Sequence, residues 1–543
     1  MFLNLIKDAI KTLGEHGDEK YIKESEHADL TTTIAFKIAK ERKVSPQEVA
    51  DEIVAKITPR GYIGGAESVN GYINFFANYE FLEDTIEVIL KDENYGSIGA
   101  SGKVLIEHTS ANPDGPLHIG HIRNSVIGDT LARIFRKAGF DVTTHYYIND
   151  MGRQMAITVL GVERFGLKDK KPDHAIAEAY ISANRLLESN PELEKEVEEL
   201  MLKYENFDRE TERKFKEAIE KAMAGIKATM ERINVNHDEF VWESDFIKNG
   251  YVDKILGFLE SKGLIKKEKA WIIELEGFDK EVVIKRENGT SLYVTRDLAY
   301  HLWKSEKFDR IINVWGADHK LYGAQLLKLL DILGIKKPEI VFFEFVSLPE
   351  GRMSTRRGKF ISADELIEKV KEEAEKIIVN RGFSEEEIDK ISEAVAIGAI
   401  RFDFLKVAPE KPMVFDMNKA LDFERQTASY IQYTYSRACS IMRKCDEEAE
   451  FSPELCEKTE RDLVIILAKM PYYIYKVVNE ARPNIFAEYM LHLASKFNEF
   501  YRDYPVLKAE GEIKKNRIAI VAAVSKVLRI GLELMGIQAI EKM

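Results

Sequence analysis

Between Lys103 and Ile148 the hydrophobic period changes twice. "KVLIEHTS" is a short apolar run that predicts a strand. "IRNSVIGDTLARIFRKAG" then places Ile122, Val126, Ile127, Leu131, Ile134, Phe135 and Ala138 on one helical face, with Gly139 positioned as a C-cap. "DVTTHYYIND" predicts a second strand. Strand, helix and strand in this length form a βαβ unit, hence a parallel sheet with a right-handed crossover. The pattern returns downstream, where "RIINVWGAD" predicts a strand, "HKLYGAQLLKLLDILG" a helix and "EIVFFEFVSL" a further strand. After the loop "PEGRMSTRRGKF", Ser362 and Glu365 form a capping box that opens another helix.

Four units follow from this pattern. Residues 1–98 begin with helical stretches and continue into glycine-punctuated β-like runs, "GYIGGAESVNGYINFFAN". Residues 99–360 carry the parallel-sheet pattern, interrupted at about 165–280 by a charged, helical insertion. Residues 361–424 are helical, and every segment of 425–543 reads as helix. The expected fold class is multidomain α/β: a parallel-sheet domain with a helical insertion, an α+β unit before it and an all-α unit after it. A chain of 543 residues is long enough for several such cores.

Composition narrows the class only a little. The chain is 45% hydrophobic and 31% charged, ordinary for a water-soluble protein. No apolar run approaches the roughly 20 residues that span a bilayer, and the amphipathic opening helix has no cleavage-site pattern after it, so a cytoplasmic protein without membrane contact is expected. Three cysteines, Cys439, Cys445 and Cys456, fit neither a disulfide framework nor a zinc ribbon. A net charge of −13 argues against the whole surface being a nucleic-acid sleeve but leaves room for a local basic track.

The chemistry concentrates in "ANPDGPLHIGHIRN", residues 111–124, a turn at the C-terminal edge of the parallel sheet, where such folds bind ligands. The helix that follows offers a partial positive charge and end amides for a phosphate. Gly115 and Gly120 let a ligand approach the backbone, and His118 and His121 supply donors for phosphate oxygens, strongest when charged. On their own, two loop histidines are more often simply solvated. No GxGxxG and no GxxxxGK[ST] competes elsewhere in the chain.

"HIGH" at 118–121, following "IEHTSANPDGPL", resembles the first nucleotide-binding motif of class I aminoacyl-tRNA synthetases, and "GRMSTRRGK" resembles the second, KMSKS. With "YYINDMGRQ", "SLYVTRDLAYH" and "WGADHKLYGAQ", the chain is similar over nearly its whole length to the arginyl-tRNA synthetase family. The resemblance implies a Rossmann-like catalytic domain, a first domain touching the corner of the tRNA, stem-contacting helices at 361–424 and anticodon reading by the C-terminal helices. It implies catalytic roles for His118, His121, Arg352, Ser354 and Arg356. ATP is then expected at Pro116, His118, Gly120, His121, Gly316, Asp318, His319 and Met353, and arginine at Glu107, Asn112, Tyr293, Asp297 and Gln325. A guanidinium carries five donors and no acceptor, so carboxylate and hydroxyl acceptors suit it, while Asn112 and Gln325 suit the α-carboxylate and α-ammonium groups. For Asp297 the plain alternative is an ion pair with adjacent Arg296, and for Tyr293 a buried strand aromatic. Anticodon contacts fall to Tyr430, Gln432, Tyr433, Tyr435 and Arg437, with Arg443 close behind.

One departure stands out. Arg352 and Thr355 replace the two lysines of KMSKS, and "NPDGPL" holds no substitute lysine. Arg356, Arg357 or Lys359 is left to supply the cation. The expected partners are tRNA(Arg), L-arginine and ATP with Mg²⁺; no protein-bound metal, zinc included, is expected, and the chain is expected to act as a monomer. Two rivals remain: a class I synthetase for lysine or cysteine, and a non-catalytic synthetase-like RNA-binding protein. The cysteine enzyme needs a thiol-selecting metal site, and the catalytic part here has no cysteine.

Overall fold

The structure is a computed structural model; residues 1–349, 361–424 and 426–543 are described. Its centre is a five-stranded, all-parallel sheet in the order 339–343, 310–316, 103–107, 141–148, 239–242. That is the doubly wound order, with the direction of winding reversing between Lys103–Glu107 and Arg310–Gly316. The three inner strands are buried along most of their length because helices cover both faces. Helix Ile119–Ala138 crosses between the first two strands in chain order and ends on Gly139 at φ 117°, as its sequence requires.

Two differences from the expected pattern matter. The segment 165–280 is more than a helical insertion: its residues Glu239–Trp242 pair in parallel with His145–Ile148 and form an edge of the main sheet. A four-residue strand between long charged helices carries too little period to read. The same segment also adds most of a three-stranded antiparallel ribbon from 266 to 285. Further on, "EIVFFEFVSL" is two strands rather than one. Glu339–Phe343 stays in the sheet, and Val346–Ser347 leaves it to pair with Met413–Val414.

Residues 1–98 form a four-stranded antiparallel sheet with helices, and 363–406 and 428–534 are helical. One hydrophobic core runs from Phe2 to Ile540 across these units. Arg401 pins the junction. Fully buried, it pairs with Asp129 of the crossover helix and donates to Ile233 O (2.7 Å) and Met535 O (2.8 Å). Removing one partner of such a pair leaves an uncompensated buried charge. Asp129→Ala should therefore lower stability by about 3–5 kcal/mol, read from the denaturant midpoint. An unchanged midpoint would dismiss the junction.

Candidate active site

The strand Lys103–Glu107 ends at the point where the winding reverses, and a cavity of about 930 Å³ opens there. The chain leaves the strand through Thr109 (φ 67°) and Ser110 (φ 39°), left-handed conformations that cost of order 1–3 kcal/mol each in non-glycine residues. Side chains of the next helix hold this turn. Thr109 N donates to Asn124 Oδ1 at 2.7 Å, and Thr109 and Ser125 share a hydroxyl bond of 2.8 Å. Gly128 allows the approach, since a Cβ there would lie 2.2 Å from His108 Cβ.

His118 is the N-cap of the helix Ile119–Ala138. Its Nδ1 accepts from Gly120 N (3.0 Å) and His121 N (3.3 Å), while His121 Nδ1 accepts from His118 N (3.3 Å). The two rings stack with centroids 3.6 Å apart. Gly120 is needed because the His118 ring lies over the first turn, and a Cβ would sit 2.9 Å from its Cε1. With both Nδ1 atoms accepting, each proton sits on Nε2. Burial lowers the pKa of His118, and burial reinforced by His118 takes that of His121 well below the usual value. Burial thus favours the neutral form of both donors, and one expectation is corrected: the end amides of Gly120 and His121 are spent on His118 instead of being open to phosphate.

Glu107, Asn112, Tyr293 and Asp297 all line the cavity, and so do His118, Gly120, His121, Gly316, Asp318 and His319. Gln325 and Pro116 do not. Gln325 is half-buried three residues beyond Tyr322 on the helix Lys320–Leu333, and Tyr322 takes the cavity-facing place. Pro116 is half-buried in the turn before His118. Asp297 is not paired with Arg296; Arg296 Nε instead lies 2.8 Å from Glu243. Asp297 accepts a hydrogen bond from Tyr322 OH, and burial pushes its pKa up to about 7, with Glu107 and Glu243 adding to the rise. Tyr293 begins the helix Tyr293–Lys307 and is 55% exposed, so it is no buried strand residue.

Four cavity neighbours were missed in the sequence. Glu243 arrives from the insertion, just beyond the edge strand; Tyr147 comes from the sheet, Tyr322 from the helix after Gly316, and Lys304 lies behind Glu107. Glu243 Oε2 and Tyr147 OH are buried and have no hydrogen-bond partner among the described residues. At the other end, Val314, Trp315, Phe343, Phe345 and Val346 give an apolar wall. Ala363 N donates to Leu117 O at 2.7 Å, so the helix following the second motif docks directly onto the first. Arg352, Met353, Ser354 and Arg356, together with Thr355, Arg357 and Lys359, lie outside the described residues. Asp173, His174 and Asp364 converge within ligand distance, but Lys171 Nζ lies 2.7 Å from Asp364 and 3.2 Å from Asp173, which makes the cluster an ion-pair network.

The expected anticodon residues divide by helical face. On Ala428–Arg443, Gln432 and Tyr435 are buried; Gln432 donates to Gln538 O (2.9 Å), and Tyr435 is 4% exposed. They belong to the core because their face packs against helices Glu385–Lys406 and Gly511–Leu534. Tyr430, Tyr433 and Arg437 stay partly exposed. Arg437 lies over Tyr433 (4.9 Å) and Tyr501 (4.6 Å), and Arg381 lies over Phe423 (4.6 Å). Arg443 caps the chain end by donating to Glu541 O. If this face meets the anticodon loop as the sequence leads one to expect, the double variant Tyr433→Ala/Arg437→Ala raises the KM for tRNA at least tenfold with arginine KM unchanged, at about 1–3 kcal/mol per lost stacked base. An unaltered tRNA KM would end that expectation.

Three family models match the chain: "tRNA synthetases class I (R), catalytic domain" at residues 85–417, "DALR anticodon binding domain" at 431–543 and "Arginyl tRNA synthetase N terminal domain" at 2–77. It is 68% identical to the arginine–tRNA ligase of Archaeoglobus fulgidus, covering 100% of both chains. It is 47% identical to that of Methanosarcina barkeri, over 99% of this chain and 98% of the relative. Among solved structures, the arginyl-tRNA synthetase of Thermus thermophilus superposes with a TM-score of 0.87 at 28% identity, over 100% of each chain.

Proposed function

The chain belongs to the arginyl-tRNA synthetase family, and from that premise we propose how its cavity divides the work of joining arginine to tRNA(Arg) with ATP. The observation that carries the reading is the charge of the inner cavity. Glu107, Asp297 and Glu243 line it, against the buried cations Lys304 and Arg296, a formal excess of one acidic group. A guanidinium supplies the missing positive charge, and its five donors match Glu107, Asp297 and Tyr293 together with the unpartnered Glu243 Oε2 and Tyr147 OH. Asn112 takes the α-amino acid end.

ATP occupies the outer half, its adenine against the apolar wall, its ribose near Gly316, Asp318 and His319, and its phosphates by His118, Gly120 and His121. Mg²⁺ enters with the phosphates as part of the substrate. The arginine carboxylate attacks the α-phosphate, giving arginyl-adenylate and pyrophosphate. No general base is required, because the nucleophile is already ionised. The protein aligns the two substrates and stabilises charge that develops on the phosphate, through the imidazole Nε2–H groups and the cationic second motif. The 2′-hydroxyl of the terminal tRNA adenosine then takes the arginyl group. The first domain touches the tRNA corner, helices of 361–424 its stem, and the Tyr430/Tyr433/Arg437 face the anticodon loop. Activation of arginine waits for bound tRNA, and the enzyme works as a cytoplasmic monomer.

Charging of tRNA(Arg) with labelled arginine, with stoichiometric AMP and pyrophosphate, tests the reading; no charging by the full chain refutes it. A second test uses pH. Asp297 must be ionised to hold a guanidinium, so arginine binding releases a proton near pH 7. The arginine KM should fall about tenfold from pH 6 to pH 8 and then level off. The rate of adenylate formation should not fall over that range, because the histidines act as neutral donors. A KM independent of pH would contradict the role of Asp297.

A further inference from the structure

Behind the two carboxylates expected to meet the guanidinium runs a continuous chain of buried hydrogen bonds. His301 Nδ1 lies 2.8 Å from the Asp297 carbonyl, one helical turn back. Asn313 Nδ2 lies 3.0 Å from His301 Nε2, so Asn313 donates, and His301 is the neutral tautomer protonated on Nδ1. Lys304 Nζ then donates to Asn313 Oδ1 at 3.1 Å and to Glu107 Oε2. Lys304 is fully buried and also lies 3.8 Å from the centre of the Tyr300 ring. Strand Lys103–Glu107, helix Tyr293–Lys307 and strand Arg310–Gly316 thus meet at a single ammonium.

A buried lysine is costly unless its charge is paired and hydrogen-bonded. Here a fully buried cation sits against a carboxylate that is 5% exposed and lines the cavity. Resting on the arginine reading of that cavity, we propose that Lys304 is a positioning residue for amino-acid recognition: it ties Glu107 Oε2 into the protein and so presents Oε1, which also accepts a 3.5 Å bond from Ser110 Oγ, to the substrate. Through Asn313 and His301 the same ammonium is linked to the helical turn that presents Asp297, so both carboxylates are held in one register. The titratable groups facing Lys304 are Glu107, Asp297, His145, His301 and Tyr300. Both histidines are held neutral by burial and by Lys304 itself, so that among the described residues it faces the carboxylates of Glu107 and Asp297.

The test is arginine-dependent pyrophosphate exchange by the full chain with tRNA(Arg) present, for the wild type, Lys304→Met and Glu107→Gln. Lys304→Met should raise the arginine KM about a hundredfold while the ATP KM moves less than twofold. Its kcat at saturating arginine should change much less than the arginine KM. A lysine needed only for folding would not separate the arginine KM from the ATP KM and kcat in this way. Should Lys304→Met fail to bind ATP, Lys304→Gln, which keeps a donor to Glu107 but no charge, carries the same readouts. An arginine KM within threefold of wild type, alongside a crippled Glu107→Gln, overturns the proposal and leaves the cavity reading standing. A wild type that does not use arginine overturns the cavity reading and the proposal with it.

Discussion

His121→Ala should slow single-turnover formation of arginyl-adenylate by about 10²–10³-fold while ATP affinity changes little. The expectation rests on where the His121 proton sits. Its Nδ1 accepts from His118 N, so Nε2–H is the donor, and the ring lines the cavity beside His118. A neutral donor held by the helix terminus stabilises negative charge that is larger on the pentavalent phosphate than on ATP. Loss of one such contact costs about 2.7–4 kcal/mol of barrier. The capping contact is lost too, at about 1 kcal/mol of stability, and a thermal melt measures that part separately. A wild-type rate of adenylate formation would end the assignment, and a rate loss matched by an equal loss of ATP binding would demote the ring to ground-state binding.

Asp297→Asn should raise the arginine KM by several hundredfold and leave ATP binding almost intact. The substitution keeps shape and the contact with Tyr322, but it removes the charge and turns an amide N–H₂ toward a group with only donors. Truncating one side of a buried, hydrogen-bonded charge pair costs about 2–5 kcal/mol, or roughly thirtyfold to several thousandfold. The variant should also lose the fall in arginine KM between pH 6 and pH 8, since Asp297 is the group pushed up to about 7 by burial. Steady-state pyrophosphate exchange over that range checks both. Normal arginine affinity in the folded variant would refute the pocket.

The elements that frame the cavity were legible because each carried its own period. The run at 103–107, the helical face from Ile122 to Ala138 and the glycine after it needed no tertiary information. The two-histidine turn was legible as well, though its protonation was not. A sequence shows imidazoles but not the amides that claim their Nδ1 atoms. Lys304 left a trace: it lies two helical turns beyond Asp297, hence on the same face of the helix Tyr293–Lys307. Glu243 left none. The edge strand that delivers it is four residues long, and its carboxylate faces the cavity only because that strand pairs with 145–148. The same limit misassigned Gln432 and Tyr435. Both stand in a stretch of polar and aromatic residues that suits RNA, and only the packing of neighbouring helices shows which face is core.

The central claim is that the cavity recognises a guanidinium by charge and by a fork of acceptors. The most direct measurement is pyrophosphate exchange by the wild-type protein with arginine, citrulline and lysine, tRNA(Arg) present throughout. Citrulline has nearly the shape of arginine but is neutral, and it sets a carbonyl oxygen against Glu107 and Asp297. Unpaired buried polar groups discriminate by roughly 10⁴-fold or more in kcat/KM, whereas an apolar slot would give about a hundredfold. Lysine keeps the charge but offers a single ammonium where several separated acceptors wait. The account predicts robust exchange with arginine and a loss of about 10⁴-fold or more with both analogues. Citrulline or lysine within about a hundredfold of arginine would contradict it.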